Sequence, residues 1–431
     1  MRGRVPSMGL LRDLREGRGA RLADAGGRHT VTRRGLIKGT AAVGATAAVA
    51  SVLAGCRSSD EGANEPVMVD SSAADYVIDP NTNESRFDSK ESSLSPAYTW
   101  DIALGSVLHP TSDSTWIPMT CAGSSAMPMV RASALSITTG AVVDVVATPH
   151  TDPADNVVIY DVRCSDSVYA WAELNLLTRA WRLYAARFEG GEITGSTTTL
   201  WEASADYDPP RFAVAGTLVI WYVMPSASGG KSGERSFCYQ WRVGDDKAHA
   251  VIDSPGRFAG SPAPSGSTVT VVPRVNSDQG VFYGITALSL DNLSNQVDQL
   301  VLPATVKPLS AVRMGEKFAF SIEANYASGG LLGQMGTYIG SSDGKFVALS
   351  REPFADVSGK DGLYFVKSST SYFVIDTKER SYQVLAAQNR SVDYGEYPAS
   401  VGEGSLFVTY STVKHESTGR PTSVTVRAFA V

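Results

Sequence analysis

The stretch Leu218-Val-Ile-Trp-Tyr-Val223, entered through the turn Ala215-Gly216-Thr217, decides the reading of this chain because its form recurs. Five further stretches share that form, a short apolar strand behind a tight polar turn: Val168-Tyr-Ala-Trp-Ala172, Thr268-Val-Thr-Val-Val272, Phe318-Ala-Phe-Ser-Ile322, Leu363-Tyr-Phe-Val366 and Leu406-Phe-Val-Thr-Tyr410. From one start to the next the steps are 50, 50, 50, 45 and 43 residues, and the turns read CSDS, AGT, PSGS, MGEK, GKDG and GEGS. A second turn series recurs once per unit, as Thr138-Thr139-Gly140, Glu189-Gly190-Gly191-Glu192, Gly244-Asp245-Asp246-Lys247, Asp291 to Asn295, Ser342 to Lys345 and Asp376 to Glu379. A period of roughly 40 to 50 residues filled with strands and turns, without a helical segment, predicts an all-β chain folded as a β-propeller. Each unit of such an array buries its sheet only against its neighbours, so 431 residues make one large closed domain rather than several.

The second unit spells out four strands: Asn156 to Arg163, Val168 to Glu173, Trp181 to Phe188 and Thr197 to Trp201. Counting back 50 residues from Val168 reaches Trp116-Ile-Pro-Met-Thr120, a first unit with a weaker pattern. Counting forward ends with Ser423 to Val431, a third strand with no fourth after it. Seven blades are expected, with six the alternative if the first unit is irregular. An incomplete last blade leaves raw sheet edges unless a strand from the amino-terminal side completes it. Trp100 to Val107 is the expected closing strand and Asp75 to Asp79 its alternative.

The amino terminus reads as an address. Residues 1–38 carry ten Lys or Arg against Asp13, Glu16 and Asp24. Within them, Thr32-Arg33-Arg34-Gly35-Leu36-Ile37-Lys38 resembles the twin-arginine export motif, with Leu where that motif most often has Phe. The Ala-, Gly- and Val-rich run Gly39 to Ala54 is short of the roughly 20 apolar residues a spanning helix needs and reads as a signal h-region. It ends in Leu53-Ala54-Gly55-Cys56, which resembles a bacterial lipobox. That resemblance implies a diacylglyceryl thioether on Cys56, with Cys56 becoming the first mature residue. Two acyl chains give stable anchoring, which implies a protein tethered to lipid outside the cytoplasmic membrane. Three segments follow: 1–55 as signal, 56–96 as the lipidated Cys and a flexible acidic spacer, and 97–431 as the propeller. Within the spacer, nine acids face three bases between Arg57 and Ser95. Residues 97–431 resemble divergent propeller lipoproteins as a type, because their WD40-like repeats lack the GH and WD dipeptides of WD40 blades and the paired glycines of kelch.

The whole chain carries a net −6. With the basic signal and acidic spacer set aside, the ring is mildly acidic, which excludes the basic patch that nucleic-acid binding requires. Gly340-Ser341-Ser342-Asp343-Gly344 matches a nucleophile-elbow pattern, but it precedes the strand Phe346 to Leu349 rather than a helix, so a hairpin turn is expected. Gly329 to Gly336 lacks the helix and Lys-Ser/Thr of a phosphate loop. Asp291 to Asp298 lacks the ligand order of a calcium loop. His109, His150, His249 and His415 are widely separated, and no C-x-x-C occurs. No metal, cofactor or catalytic residue is therefore assigned. Cys121, Cys164 and Cys238 allow at most one disulfide among them and read as small buried hydrophobes. The seven Trp residues, Trp100 to Trp241, read as packing between sheets.

What remains is positional. In propellers, the loops that lead from one blade to the next share an end of the central channel with the loops between second and third strands, and ligands usually bind there. Those loops bring Asp208, Arg211, Arg257, Lys307, Asp393 and Glu396 towards one rim, together with Asp152 and Asp356, as a mixed-charge mouth. Two readings follow. One is a monomeric binding or scaffolding lipoprotein for a protein or glycan partner. The other is an extracytoplasmic hydrolase or lyase using rim carboxylates such as Asp208 with Asp393. A cofactor-dependent redox enzyme, a third class suggested by twin-arginine export, lacks the ligand and nucleotide motifs.

Overall fold

The computed structural model describes residues 66–67, 74–124, 128–151, 156–277, 280–304, 306–323, 335–388 and 395–431. Arg33, Arg34, Cys56 and Asp393 lie outside these residues, as do Asp152 and most of the Gly329 to Gly336 stretch. Every regular element among them is a strand. Among the described residues seven sheets follow one another, so the fold is a β-propeller with seven blades. The recurring strand lies second from the channel in each: Trp116–Ala122, Val168–Asn175, Leu218–Val223, Thr268–Val271, Lys317–Ile322, Leu363–Ser368 and Leu406–Lys414.

Why this strand is a continuous apolar run follows from its position. Successive side chains of a strand point to opposite faces, and both faces of a blade are covered by neighbours. In Leu218–Val223 all six residues are buried. Val219, Trp221 and Val223 join the cluster shared with the second blade; Leu218, Ile220 and Tyr222 join the one shared with the fourth. Seven such clusters fill the seven interfaces around the ring, including the one between the last blade and the first. The buried aromatics stack within them, as Tyr222 does on Phe258 with ring centroids 4.2 Å apart.

Closure uses the first half of the expected strand; Ser106 and Val107, at its far end, belong instead to the first strand of the first blade, Ser106–Leu108. Tyr98–Ala103 pairs antiparallel with Pro421–Ala430 as the outer strand of the last blade, in the register Tyr98↔Ala428 to Ala103↔Ser423. The same strand is fastened to the first blade, because Trp100 Nε1 donates to the Ile137 carbonyl at 2.9 Å and its ring lies on Gly140. A side chain at Gly140 would begin 2.4 Å from that ring.

The reading of residues 56–96 as a flexible spacer needs correction from residue 74 onwards. Asp75–Tyr76 adds in parallel to the outer edge of the fifth blade, and Asp88–Lys90 does the same on the sixth. Ala74 and Tyr76 enter the cluster between blades four and five, and Val77 and Phe87 the one between five and six. Val67 donates its backbone N–H to the Val301 carbonyl on the fourth blade at 2.8 Å. Acidic and Ser-rich composition hides this strap because only a few of its side chains are buried; the rest stay in water.

The remaining motifs resolve as local structure. Gly340 to Gly344 spans a hairpin turn in which Ser341 Oγ donates to Asp343 Oδ1 at 3.0 Å. Asp298 pairs with Arg313 at 3.1 Å. Cys121, Cys164 and Cys238 are buried free thiols.

Candidate functional site

The channel has two ends. At one, which we call the loop end, lie the inter-blade loops singled out by sequence. At the other, the turn end, lie the short turns from first to second strands.

At the loop end most of the described rim residues are already engaged. Arg257 pairs with Asp208 and also donates to the Pro225 carbonyl. Arg211 Nη1 donates to the Gly260 carbonyl at 2.7 Å, so two consecutive inter-blade loops are tied together. Lys307 is exposed. Glu396 is not a rim group at all: it is 1% exposed, and Oε1 accepts from Arg427 Nε at 3.0 Å and Thr409 Oγ1 at 2.5 Å. The backbone N–H of Gln388 donates to its other oxygen. This carboxylate is a buried structural ion pair within the last blade, because a charge removed from water must find such partners. Lys367 lies nearby, 3% exposed, with its ammonium donating to the Ser369 carbonyl at 2.5 Å. Burial pushes its pKa down to about 8, against the opposing pull of Glu396.

Inside the channel, Asp161 accepts from His109 Nδ1 at 2.8 Å and pairs with Arg163. Burial pushes the Asp161 pKa upward, but Arg163 and His109 outweigh it and hold the carboxyl below its usual value. Asp356 is shifted the opposite way, raised by burial despite Arg163 and a hydrogen bond with Ser310. A cavity of about 40 Å³ borders Arg163, Phe212 and Asp356, room for water only.

The channel is crossed by the inner segment of the last blade. After pairing with its own blade at Tyr397–Pro398, the chain departs, and Val401 donates to the Thr111 carbonyl of the first blade. Gly402–Glu403 then pairs in parallel with Ser358–Lys360 of the sixth. It also reaches across the ring: Glu403 N–H donates to Ser265 Oγ at 3.1 Å, and Glu403 Oε1 accepts the Gly315 N–H at 2.7 Å. Gly402 makes the crossing possible. Its φ is +69°, and a Cβ there would sit 2.4 Å from the Pro264 carbonyl oxygen.

Above this crossing, the turn end opens into a cup of about 470 Å³. Its charged lining is Asp113, Lys360, Asp361 and Glu403; Gly216, Gly266 and Ser405 lie among the small residues of its wall. Lys360, Asp361 and Asp113 are exposed, and Asp113 Oδ1 accepts from both N–H and Oγ of Ser405 at 3.2 Å. The cup thus lies at the end opposite the loops favoured by sequence. Sequence reading quoted its turns, GKDG and GEGS, but as punctuation only. Charge alone could not single them out, because CSDS and MGEK in the same series carry it too. Among the described residues no group of three or more His, Cys, Asp or Glu could hold a metal ion.

No family model matches this chain, and no curated protein matches it. Solved structures similar to it include the β-propeller domain of the Trilobed protease from Pyrococcus furiosus, at 11% identity and TM-score 0.47, covering 76% of this chain and 94% of that one. Acylaminoacyl peptidase from Pyrococcus horikoshii matches at 11% identity and TM-score 0.46, covering 74% of this chain and 50% of the peptidase, so this chain spans half of that chain's length. An oligogalacturonate lyase from Vibrio parahaemolyticus matches at 9% identity and TM-score 0.42, covering 78% and 98%. These likenesses concern the fold alone.

Proposed function

We propose that this chain is an exported, lipid-tethered recognition module. Residues 1–55 direct export, Cys56 carries the diacylglycerol, and the ring presents its turn-end cup to a protein or glycan partner outside the cytoplasmic membrane. The address rests on the resemblance of Thr32 to Lys38 to a twin-arginine motif and of Leu53 to Cys56 to a lipobox.

The observation that carries the recognition reading is the cup. Its volume of about 470 Å³ falls within the range of binding clefts. Its floor is held by backbone bonds to the first and sixth blades and by the Glu403 contacts to the fourth and fifth. A floor fixed in this way is ordered before a partner arrives, so association does not have to order it. The charged walls sit on exposed turns, where side chains contribute little to folding and are free to serve contact.

The test is capture by the chain carrying Cys56→Ser, which keeps it free of lipid, from membrane and cell-wall extracts. A partner retained by this chain and lost with the additional change Ser405→Trp, which fills the cup, is the expected result, with an unchanged unfolding midpoint. Equal capture by both proteins counts against the cup.

A further inference from the structure

We propose that the cup receives a cationic side chain, a lysine ammonium or an arginine guanidinium, that a protein partner inserts along the ring axis. This inference rests on the reading of the cup as the recognition site and narrows the partner to a protein with an exposed basic residue.

The turns around the cup share one backbone form. Three of the turns around it carry glycine in the left-handed region, Gly216, Gly266 and Gly315, with φ of +54°, +54° and +58°. Two other turns adopt the same backbone with a side chain, and in both it is a carboxylate: Asp113 at +43° and Asp361 at +52°. Glu403 adds a third from the floor, and Lys360 is the single cation of the lining.

The carboxylates keep oxygens in reserve. Glu403 Oε1 is held by the Gly315 N–H, which fixes the group in place. Its Oε2 lies 2.7 Å from where a side chain on Gly266 would begin, and no hydrogen bond to it is made among the described residues. Asp113 uses Oδ1 on Ser405 and leaves Oδ2 open. Lys360 forms no ion pair among the described residues; its single positive charge against Asp113, Asp361 and Glu403 leaves the lining with one cation to three carboxylates, an excess of negative charge.

An excess of negative charge in a concave site, where water is partly displaced, attracts a cation more strongly than the same charges on open surface. A guest long enough to reach the Glu403 floor past Asp113 and Asp361, and charged at its tip, matches a lysine or arginine side chain. Arginine adds the fork geometry that pairs two bonds with a carboxylate.

The experiment titrates the Cys56→Ser chain with tetra-arginine amide, tetra-lysine amide, tetraglutamate and maltotetraose, reading binding by calorimetry. The expected result is binding of the two cationic peptides only. Affinity should fall about tenfold or more in Glu403→Gln, rise severalfold in Lys360→Glu, and stay the same in Glu189→Gln on the remote turn of the second blade. Preference for tetraglutamate or maltotetraose, or full binding of the cationic peptides by Glu403→Gln, overturns the proposal. In that case, loss of partner capture in Ser405→Trp still upholds the cup as the recognition site; retention there removes that reading too.

Discussion

Gly402 is the residue on which the closed channel depends, since a Cβ there would lie 2.4 Å from the Pro264 carbonyl oxygen. Gly402→Ala should cost about 2 kcal/mol or more from left-handed backbone strain plus the clash, measured as a lower urea midpoint with unchanged m-value. Lys367 gives a pH signature. Its folded pKa of about 8 lies below the ordinary lysine value of about 10.4. Between those values the unfolded chain binds more protons, so this residue makes stability rise with pH from about 8 to about 10. Tyr372, whose pKa burial raises, acts in the opposite direction only above about 10. Lys367→Met should therefore be more stable than the native chain near pH 7 and lose that advantage by pH 10, as read from thermal midpoints; a constant difference would contradict the assignment. Glu396→Ala should destabilise by about 3 to 5 kcal/mol by stranding Arg427. That last residue also shows why single charges were misplaced by sequence. Nothing in VDYGEYPAS marks Glu396 as buried, because its partner Arg427 stands 31 residues later on the third strand.

Strands buried on both faces were the most legible; of the exposed outer ones, most of Tyr98–Ala103 was expected and Asp88–Lys90 was not. Leu218–Val223 reads as a core strand because two neighbouring blades demand six apolar residues in a row. Trp221, with no exposed surface, is its anchor, and Trp221→Ala should cost about 3 to 5 kcal/mol in an unfolding titration. Asp75–Tyr76 was read only as an alternative closing strand and Asp88–Lys90 not at all, because they are two and three residues long and added to the outer edges of the fifth and sixth blades by backbone pairing. The strap and the closing strand should separate experimentally. Deleting residues 57–91 should lower the melting temperature but leave a monomer, because the strap covers two interfaces from outside. Deleting 57–103 removes the partner of Pro421–Ala430 and exposes its edge, so soluble aggregates are expected by light scattering. A monomeric, cooperatively melting product of the longer deletion would show that closure is not needed.

For the molecule as a whole, period and turn series made the ring legible, whereas the crossing that floors the cup was not. Repeat spacing reports how many sheets there are and where each turn falls. It does not report that the last inner segment leaves its blade to cross the axis, since that depends on Gly402, Ser265 and Gly315 meeting from three different blades. The crossing is what floors the cup. Export and anchoring are tested apart from it: Cys56→Ser should abolish labelling by a radioactive fatty acid, and Lys at both Arg33 and Arg34 should hold the precursor in the cytoplasm. The most direct test of recognition at the turn end is photo-crosslinking in intact cells, with a benzophenone amino acid placed at Ser405 in the cup or at Lys307 on the opposite loop end. A discrete higher-mass adduct from position 405 and none from position 307 is the expected result; an adduct from 307 alone would contradict it.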